Sequence, residues 1–448
     1  MLGRPPQEDP PAGDKPVERS ATGRKGHGRR NLFLDESVPV GERIVHDVSE
    51  EEKFCADCGQ GKKPMPPKIT RKLTVIPARL YAVEHVRLQY SCPCCMAAVS
   101  TAALPPAVVE RGLASPELLA HVAVSKYADF LPLNRQEGIF ARQGAVLPRS
   151  TLCGWLRETA RELGILPELM ARRQTEAGFL HIDETPLPVQ APGRARTAWL
   201  WTAVGDREAP YTVYHFRNSR GRAGPEEFLE GFRGTLQSDA YAVYAGLCSR
   251  LGLVSAGCWA HARRKFVDAH DKTRASRARE AVEKIAALYD VERQAAELAD
   301  GERLQVREEK SRPLAEALFA WLEEVQMEAP PQSALGKACA YALSNRTQLS
   351  VFLSDGRVPL DNNAAERAIR PTVIGRKNWL FAGSDEGGRT AAVFFSLIES
   401  AKRHGLNVFD YLADVIRRLP SWPVKRLEEL LPDRWTPAAR DAATAAAA

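Results

Sequence analysis

GFLHIDETPLPVQAPGRARTAWLWTAVGDREAPYTVYHFRN, residues 178–218, contains three apolar runs, FLHIDET, AWLWTAVGD and YTVYHFRN. Short links of Pro, Gly and charged residues separate them. Runs of this length, rich in β-branched and aromatic residues and bounded by turn formers, read as strands. Downstream, GPEEFLEGF reads as a helix, TLQSDAYAVY as a strand leading through an aspartate into a helix, and LVSAGCWAH as a further strand. Strand, strand, strand, helix, strand, helix, strand is an α/β layout.

Two aspartates stand at expected strand ends, Asp183 in FLHID and Asp239 in TLQSD. Either alone could cap a turn. If the two strands are neighbours, both carboxylates reach one edge of the sheet, and converging oxygens are what Mg²⁺ selects. A third carboxylate would complete a two-metal site of the kind that clamps attacking and leaving oxygens. Glu366, in LDNNAAERAIRP (360–371), is the natural third: Asp361 to Asn363 can cap a helix, placing Glu366 in its first turn, where the helix dipole favours an anion. Glu184, Glu386 and Glu399 compete for that role. Arg367 and Arg370 leave the same helix on other faces.

The rest of the chain divides by composition. Residues 1–30 are rich in Pro, Gly and charge and read as a disordered tail, with a basic run, RKGHGRR. Residues 45–102 form a small module that opens with FCADCG and closes with YSCPCCM. Cys55, Cys58, Cys92 and Cys95 make two CxxC pairs, which suit one tetrahedral structural Zn²⁺, with Cys94 as the alternative fourth ligand. The alternating stretch between them, 72–90, reads as a β-hairpin. Residues 110–175 read as helical. Ser115-Pro116 caps a first helix, a second covers Asn134 to Gln143, and a third from Ser150 carries Leu152, Trp155, Leu156 and Leu163 on one side. The last two resemble a DNA-reading helix-turn-helix. Residues 262–350 are rich in Ala, Glu, Lys and Arg and read as a helical insertion into an α/β core spanning 176–400. A break at the loop GRKNWLFAGSDEGGR, a helical region over 401–437 and a low-complexity tail over 438–448 complete the chain.

With 448 residues, two to four domains are expected. Lys and Arg outnumber Asp and Glu by 62 to 56, a net charge of +6 that permits a polyanionic partner without demanding one. No apolar run approaches the roughly 20 residues that cross a bilayer, and no secretory core is present. A cytoplasmic protein follows.

HIDETP, LQSDAYAVY, CWAHARRKF, LDNNAAERAIRP, GRKNWLFAGSDEGG and LLPDRW together resemble the large transposase of the insertion sequence 66 family, over roughly residues 25–435. The resemblance implies a ribonuclease H-like core whose acidic triad falls on Asp183, Asp239 and Glu366, an insertion before the third carboxylate, and a zinc-binding domain on the cysteine module. It implies a nucleoid-associated enzyme that cuts DNA at element ends and joins 3′-hydroxyls to target DNA with two Mg²⁺ (or Mn²⁺) ions. Homo-oligomers assembled on DNA and accessory proteins of the same element are the implied partners. Arg263, Arg264, Lys265, Arg367, Arg370, Arg376 and Lys377 are candidate DNA-backbone contacts, and Trp379 could stack or wedge at a DNA end. Cys258 and His261 resemble a CxxH element, read as a core thiol and a histidine that hydrogen-bonds near the site. Members of the family usually carry a zipper-like helix before the zinc module; here the Pro-rich tail precedes it, which leaves self-association through such a segment without support. A ribonuclease H-like nuclease or resolvase, and a catalytically inactive DNA-binding regulator, are the alternatives.

Overall fold

A computed structural model describes residues 43–70, 79–94, 99–110, 112–239 and 241–438. The tails expected at 1–30 and beyond residue 438 lie outside them, as does Cys95. The chain splits into two compact units at Pro77, inside the module expected over 45–102.

In the first unit a 3₁₀ turn, Glu51–Lys53, leads into a knuckle at Cys55–Cys58. The Cys55 N–H donates to Gln60 O (2.8 Å), the Gly59 N–H donates to Cys55 O (2.9 Å), and Phe54 bridges Gly61. Gly59 supplies the left-handed backbone of the turn, with φ +68°. The N–H groups of Cys58 and Asp57 aim at the Cys55 sulfur and lower its pKa.

The second unit begins with strands β1 (Gln89–Ser91) and β2 (Val99–Thr101), paired antiparallel. β1 takes up the end of the stretch expected as a hairpin, 72–90, and its partner β2 lies beyond the second cysteine pair; 79–88 hold no strand, and 72–78 lie outside the described residues. Tyr81, Val83 and Val86 are exposed there, so the alternation has no cover to pack against.

Four helices follow: α1 (Pro116–Tyr127), α2 (Leu133–Arg142), α3 (Arg149–Leu163) and α4 (Ile165–Glu176). The Ser115 hydroxyl caps α1 by accepting the Leu118 N–H (3.3 Å), and Pro116 occupies the first turn. Leu152, Trp155, Leu156, Thr159 and Leu163 face inward from α3. The connection 143–148 between α2 and α3 exceeds the three or four residues of a typical helix-turn-helix turn.

The sheet is built from β3 (Phe179–Val189), β4 (Arg196–Gly205), β5 (Thr212–Arg217), β6 (Thr235–Gln237) and β7 (Val254–Ala256), in the order β5-β4-β3-β6-β7. β3, β4 and β5 form an antiparallel meander, whereas β6 and β7 run parallel to β3. The crossovers are α5 (Ala223–Phe228) and α6 (Ala242–Leu251). β6 meets β3 through Gly234, whose φ of +136° and close contact with Gly178 O (2.1 Å for an added Cβ) exclude a side chain.

Six helices, α7 (Trp259–Thr273), α8 (Ser276–Gln294), α9 (Asp300–Val306), α10 (Arg312–Glu328), α11 (Ala334–Ser344) and α12 (Arg346–Ser350), make the inserted layer. Between α9 and α10 one π-helical stretch, Arg307–Ser311, turns the Arg307 side chain inward. It is 1% exposed and satisfied by both Glu292 oxygens (2.8 and 2.7 Å) and by the carbonyls of Phe352 and Asp355. The chain closes with α13 (Asn363–Trp379), α14 (Asp385–Arg403) and α15 (Val408–Arg418). The break expected from Gly375 onward falls instead at Leu380–Ser384. Gly375 is helical, and a Cβ there would meet the Trp379 indole at 2.8 Å, so the glycine makes room for the ring.

Alternation along β3 assigns its two faces. Leu180 and Ile182 pack with Leu229, Phe232 and Tyr244 on the α5–α6 side. Leu187 and Val189 join a larger core with α1, α3, α4, α14 and α15. The regions expected as separate over 110–175 and 401–437 therefore share one core with the sheet, since α1 packs on α14 and α15. A third cluster, including Trp259, Phe266 and Phe319, sits under the insertion. No described helix is long and apolar enough to cross a membrane.

His215 on β5 is half-buried and stacks on Phe228 with ring centroids 4.0 Å apart. Burial lowers its pKa to about 3. Below about pH 6.5 the unfolded chain takes up a proton that the folded chain refuses, so this stability is present above pH 6.5 and is lost as pH falls. We expect the melting temperature to drop less between pH 7 and 5 in His215→Phe, which keeps the stack, than in the parent chain.

Candidate active site

β3 and β6 stop pairing at His181 and Gln237. Continuing that register by two residues sets Asp239 level with Asp183. Asp183 does not end its strand: β3 runs on to Val189 because β4 still pairs with it, through Val189 and Arg196. The edge of β3 opposite β4 is thus open beside Asp183, and the carboxylates sit where the sheet splays.

The start of α13 fills that opening. Asn362, 1% exposed, donates its side-chain N–H to Ile182 O (2.9 Å), a β3 carbonyl beyond the last pair with β6. Its side-chain oxygen lies 2.9 Å from His181 Nδ1. Because the amide nitrogen is committed to Ile182, the oxygen accepts and His181 donates. Burial first lowers the His181 pKa to about 4, which keeps the ring neutral. The Asn362 backbone N–H donates to Cys258 Sγ (3.2 Å). One helical turn on, the Glu366 N–H donates to Asn362 O (3.2 Å), so Glu366 is in the first turn of α13. Asp361 accepts the Asn363 N–H (3.0 Å) and is itself held by the Tyr289 hydroxyl (3.0 Å).

Local backbone N–H groups aim the two aspartates. Asp183 accepts the Glu184 N–H (2.8 Å), and Asp239 accepts the Tyr241 N–H (3.0 Å). Burial raises the Asp183 pKa to about 7, opposed by the Glu184 N–H and reinforced by the negative charges of Glu184, Asp239 and Glu366. Three acidic side chains from β3, from the end of β6 and from α13 therefore share one electrostatic environment. Glu366 Oε1 and His261 Nδ1 are buried without a hydrogen-bond partner and lie 3.5 Å apart; Arg264 reaches the other Glu366 oxygen at 3.4 Å. Cys258, His261 and Glu366 bring donor atoms within 4.8 Å of one another. Burial pushes the Cys258 thiol up to about 11, so it stays protonated and serves as an acceptor for Asn362. Three carboxylates that feel one another's charge, one with an orphaned oxygen, suit a hard divalent cation.

The competing acids are otherwise engaged. Glu184, on the opposite face of β3, binds Arg220 (2.6 Å) and the Tyr244 hydroxyl. Glu386 pairs with Arg389 (3.1 Å) and Glu399 with Lys402 (2.9 Å). Of the candidate DNA contacts, Arg263, Arg264 and Lys265 are exposed on α7, and Arg367, Arg370 and Lys377 are exposed on α13. Lys265 lies 4.3 Å from the Tyr341 ring centroid. Arg376 is half-buried and donates to Pro186 O, so it also ties α13 to β3. Asn362 and His181 are the residues that sequence reasoning passed over, although a histidine inside an apolar strand and a double asparagine before a helix are visible signals.

Family models match the chain in three places: one described as transposase IS66 family over residues 111–390, one as IS66 C-terminal element over 396–432, and one as zinc-finger binding domain of transposase IS66 over 52–96. Among similar chains, the uncharacterized protein y4qI of Sinorhizobium fredii is 35% identical across 95% of this chain and 80% of its own length. The uncharacterized protein y4jD of the same organism is 36% identical, covering 96% and 86%.

Replacing Asn362 with Leu leaves Ile182 O and His181 without partners. We expect a loss of about 2–6 kcal/mol in urea unfolding, since each of the two buried unsatisfied groups costs ~1–3 kcal/mol.

Proposed function

This chain belongs to the transposase IS66 family, and from that premise we propose that it is a DNA transposase: it hydrolyses a strand at each end of its element and joins the freed 3′-hydroxyl to target DNA. The observation that carries the reading is the grouping of Asp183 with Asp239 and Glu366, strong enough that the like charges help to lift Asp183 to about 7. Such repulsion is relieved by a cation between the carboxylates.

The sheet order, with an antiparallel meander followed by two parallel strands, supports a ribonuclease H-like core. In this reading Asp183, Asp239 and Glu366 hold Mg²⁺ or Mn²⁺. A pair of such ions supplies Lewis-acid activation of the attacking oxygen and neutralises charge on the phosphorus. The chain's own contribution is placement. The Glu184 N–H on Asp183, the Asx turn at Asp239 and the Asn362 tie hold three carboxylates from distant segments in fixed directions. Arg263, Arg367, Arg370 and Lys377 neutralise DNA phosphates without reading bases. Along α3, Arg149, Cys153, Arg157 and Arg161 recur every fourth residue on the exposed face, which supports that helix as a DNA-facing element. The cysteine module that carries Cys55 and Cys58 binds structural Zn²⁺, in keeping with its match to a zinc-finger binding domain.

The test uses the full chain, DNA carrying the element ends, and Mg²⁺. Asp183→Asn, Asp239→Asn and Glu366→Gln should each lower cleavage by on the order of 10³-fold or more, because the ligands act as a unit. A pre-cut end with a free 3′-hydroxyl should give strand-transfer products; cleavage without joining would mark a nuclease or resolvase. Unchanged activity in Asp183→Asn would leave only a non-catalytic regulator. Elemental analysis should find zinc in the parent chain and its loss in Cys55→Ser.

A further inference from the structure

A cleft of ≈ 220 Å³ opens between the helical layer and the loop joining α13 to α14. It is distinct from the carboxylate site. Glu366 opens α13 and Trp379 ends it, about 20 Å further on at ~1.5 Å per residue. Lys126 and Tyr127 of α1, Cys153 and Arg157 of α3, and Trp379 and Phe381 form its walls.

One cation there lacks an ion-pair partner. The Lys126 ammonium lies 5.4 Å from the ring centroids of both Tyr127 and Trp379, and no carboxylate pairs with it among the described residues. The Trp379 indole nitrogen faces Gly375 of its own helix, which fixes the ring at the cleft wall. The acid lining the cleft, Glu386, is already paired with Arg389 (3.1 Å). One wall is the first turn of α14, Ser384 to Gly387, whose dipole favours an anion. Burial drops Lys126 to about 8, and a phosphate beside it would favour the charged form further.

The rim is a rigid apolar hook. Leu380 is 63% exposed with φ +67°, and Phe381 is 43% exposed. Ala382 pins the loop to β3, donating to Pro188 O (2.9 Å) and accepting from the Gln190 N–H (2.8 Å). Strained backbone and exposed aromatics, held in place by the surrounding structure, are features of ligand clamps.

Aromatic faces beside unpaired cations fit a nucleotide, whose base offers a π-face and whose phosphate offers charge. The cleft is smaller than the roughly 300–1,000 Å³ of sites that enclose drug-sized ligands, so it takes one base and not a stacked pair. We propose that this cleft holds a single unpaired nucleotide of a DNA strand, its base against Trp379 and Phe381 and its phosphate at Lys126 and Arg157. The proposal rests on the transposase reading and adds to it a recognition site for a frayed or overhanging end.

The full chain is titrated with a blunt duplex and with the same duplex carrying one extra 2-aminopurine nucleotide. The expected result is binding on the order of tenfold tighter for the overhang, with quenching of the 2-aminopurine on stacking. Phe381→Ala, at a half-exposed position that does not open the core, and Lys126→Gln should each bring the overhang-to-blunt ratio towards one. Equal affinity for the two duplexes with unchanged emission overturns the proposal, and so does an unaltered ratio in Phe381→Ala. Competition by free dAMP as effective as that by the overhang would assign the cleft to mononucleotides and overturn it too. Failure to bind either duplex would instead sink the transposase reading together with this one.

Discussion

A single buried amide, Asn362, holds the candidate site together. The parallel partner of β3 stops one residue short of Ile182, and a carbonyl at a sheet interior cannot be left without a donor. Asn362 supplies that donor, receives the His181 N–H, and hands its own backbone N–H to Cys258. Three segments distant in sequence, β3, the start of α7 and the start of α13, are thereby locked to one residue. Glu366 follows one turn later, so its direction is inherited from this network. Fully satisfied polar networks of this kind specify one arrangement, whereas removal of any member leaves desolvated groups behind.

Partnership separates the acids that support the fold from those available for chemistry. Asp183 and Glu184 are neighbours in sequence but point to opposite faces. Glu184 is neutralised by Arg220 and bound by Tyr244, while Asp183 has no basic partner among the described residues and feels the charges of other carboxylates. Arg307 with Glu292 shows the same satisfied arrangement deep in the insertion. Glu366 has only the long contacts to His261 and Arg264, and one of its oxygens is left over.

Much of this was legible in the sequence because periodicity is local. The strand runs from Phe179 to Arg217, the Ser115 cap and the inward face of α3 are all set by residues within a few positions of one another. What escaped depended on distant contacts. Asp183 looked like a strand end because the polar and Pro residues after it break the apolar run, yet pairing with β4 carries the strand through Pro186 and Pro188. Gly375 looked like a helix stop, but its missing side chain accommodates Trp379. Residues 79–88 alternate without forming a strand because an alternating pattern does not say which face is covered. The helices at the two ends of the described chain share a core because α15 folds back on α1, and no local pattern carries that pairing.

The order of the three carboxylates along the chain has a consequence for biosynthesis. Asp183 and Asp239 leave the ribosome well before Glu366, with the whole inserted layer made in between. A nascent chain, or the product of a premature stop codon within the insertion, holds two of the three acids and lacks both Asn362 and the helix that aims the third. Such a fragment also lacks α14 and α15, against which α1 and α3 pack, so its helical layer is left with an open core. Only a finished polypeptide both closes that core and brings the third acid into place.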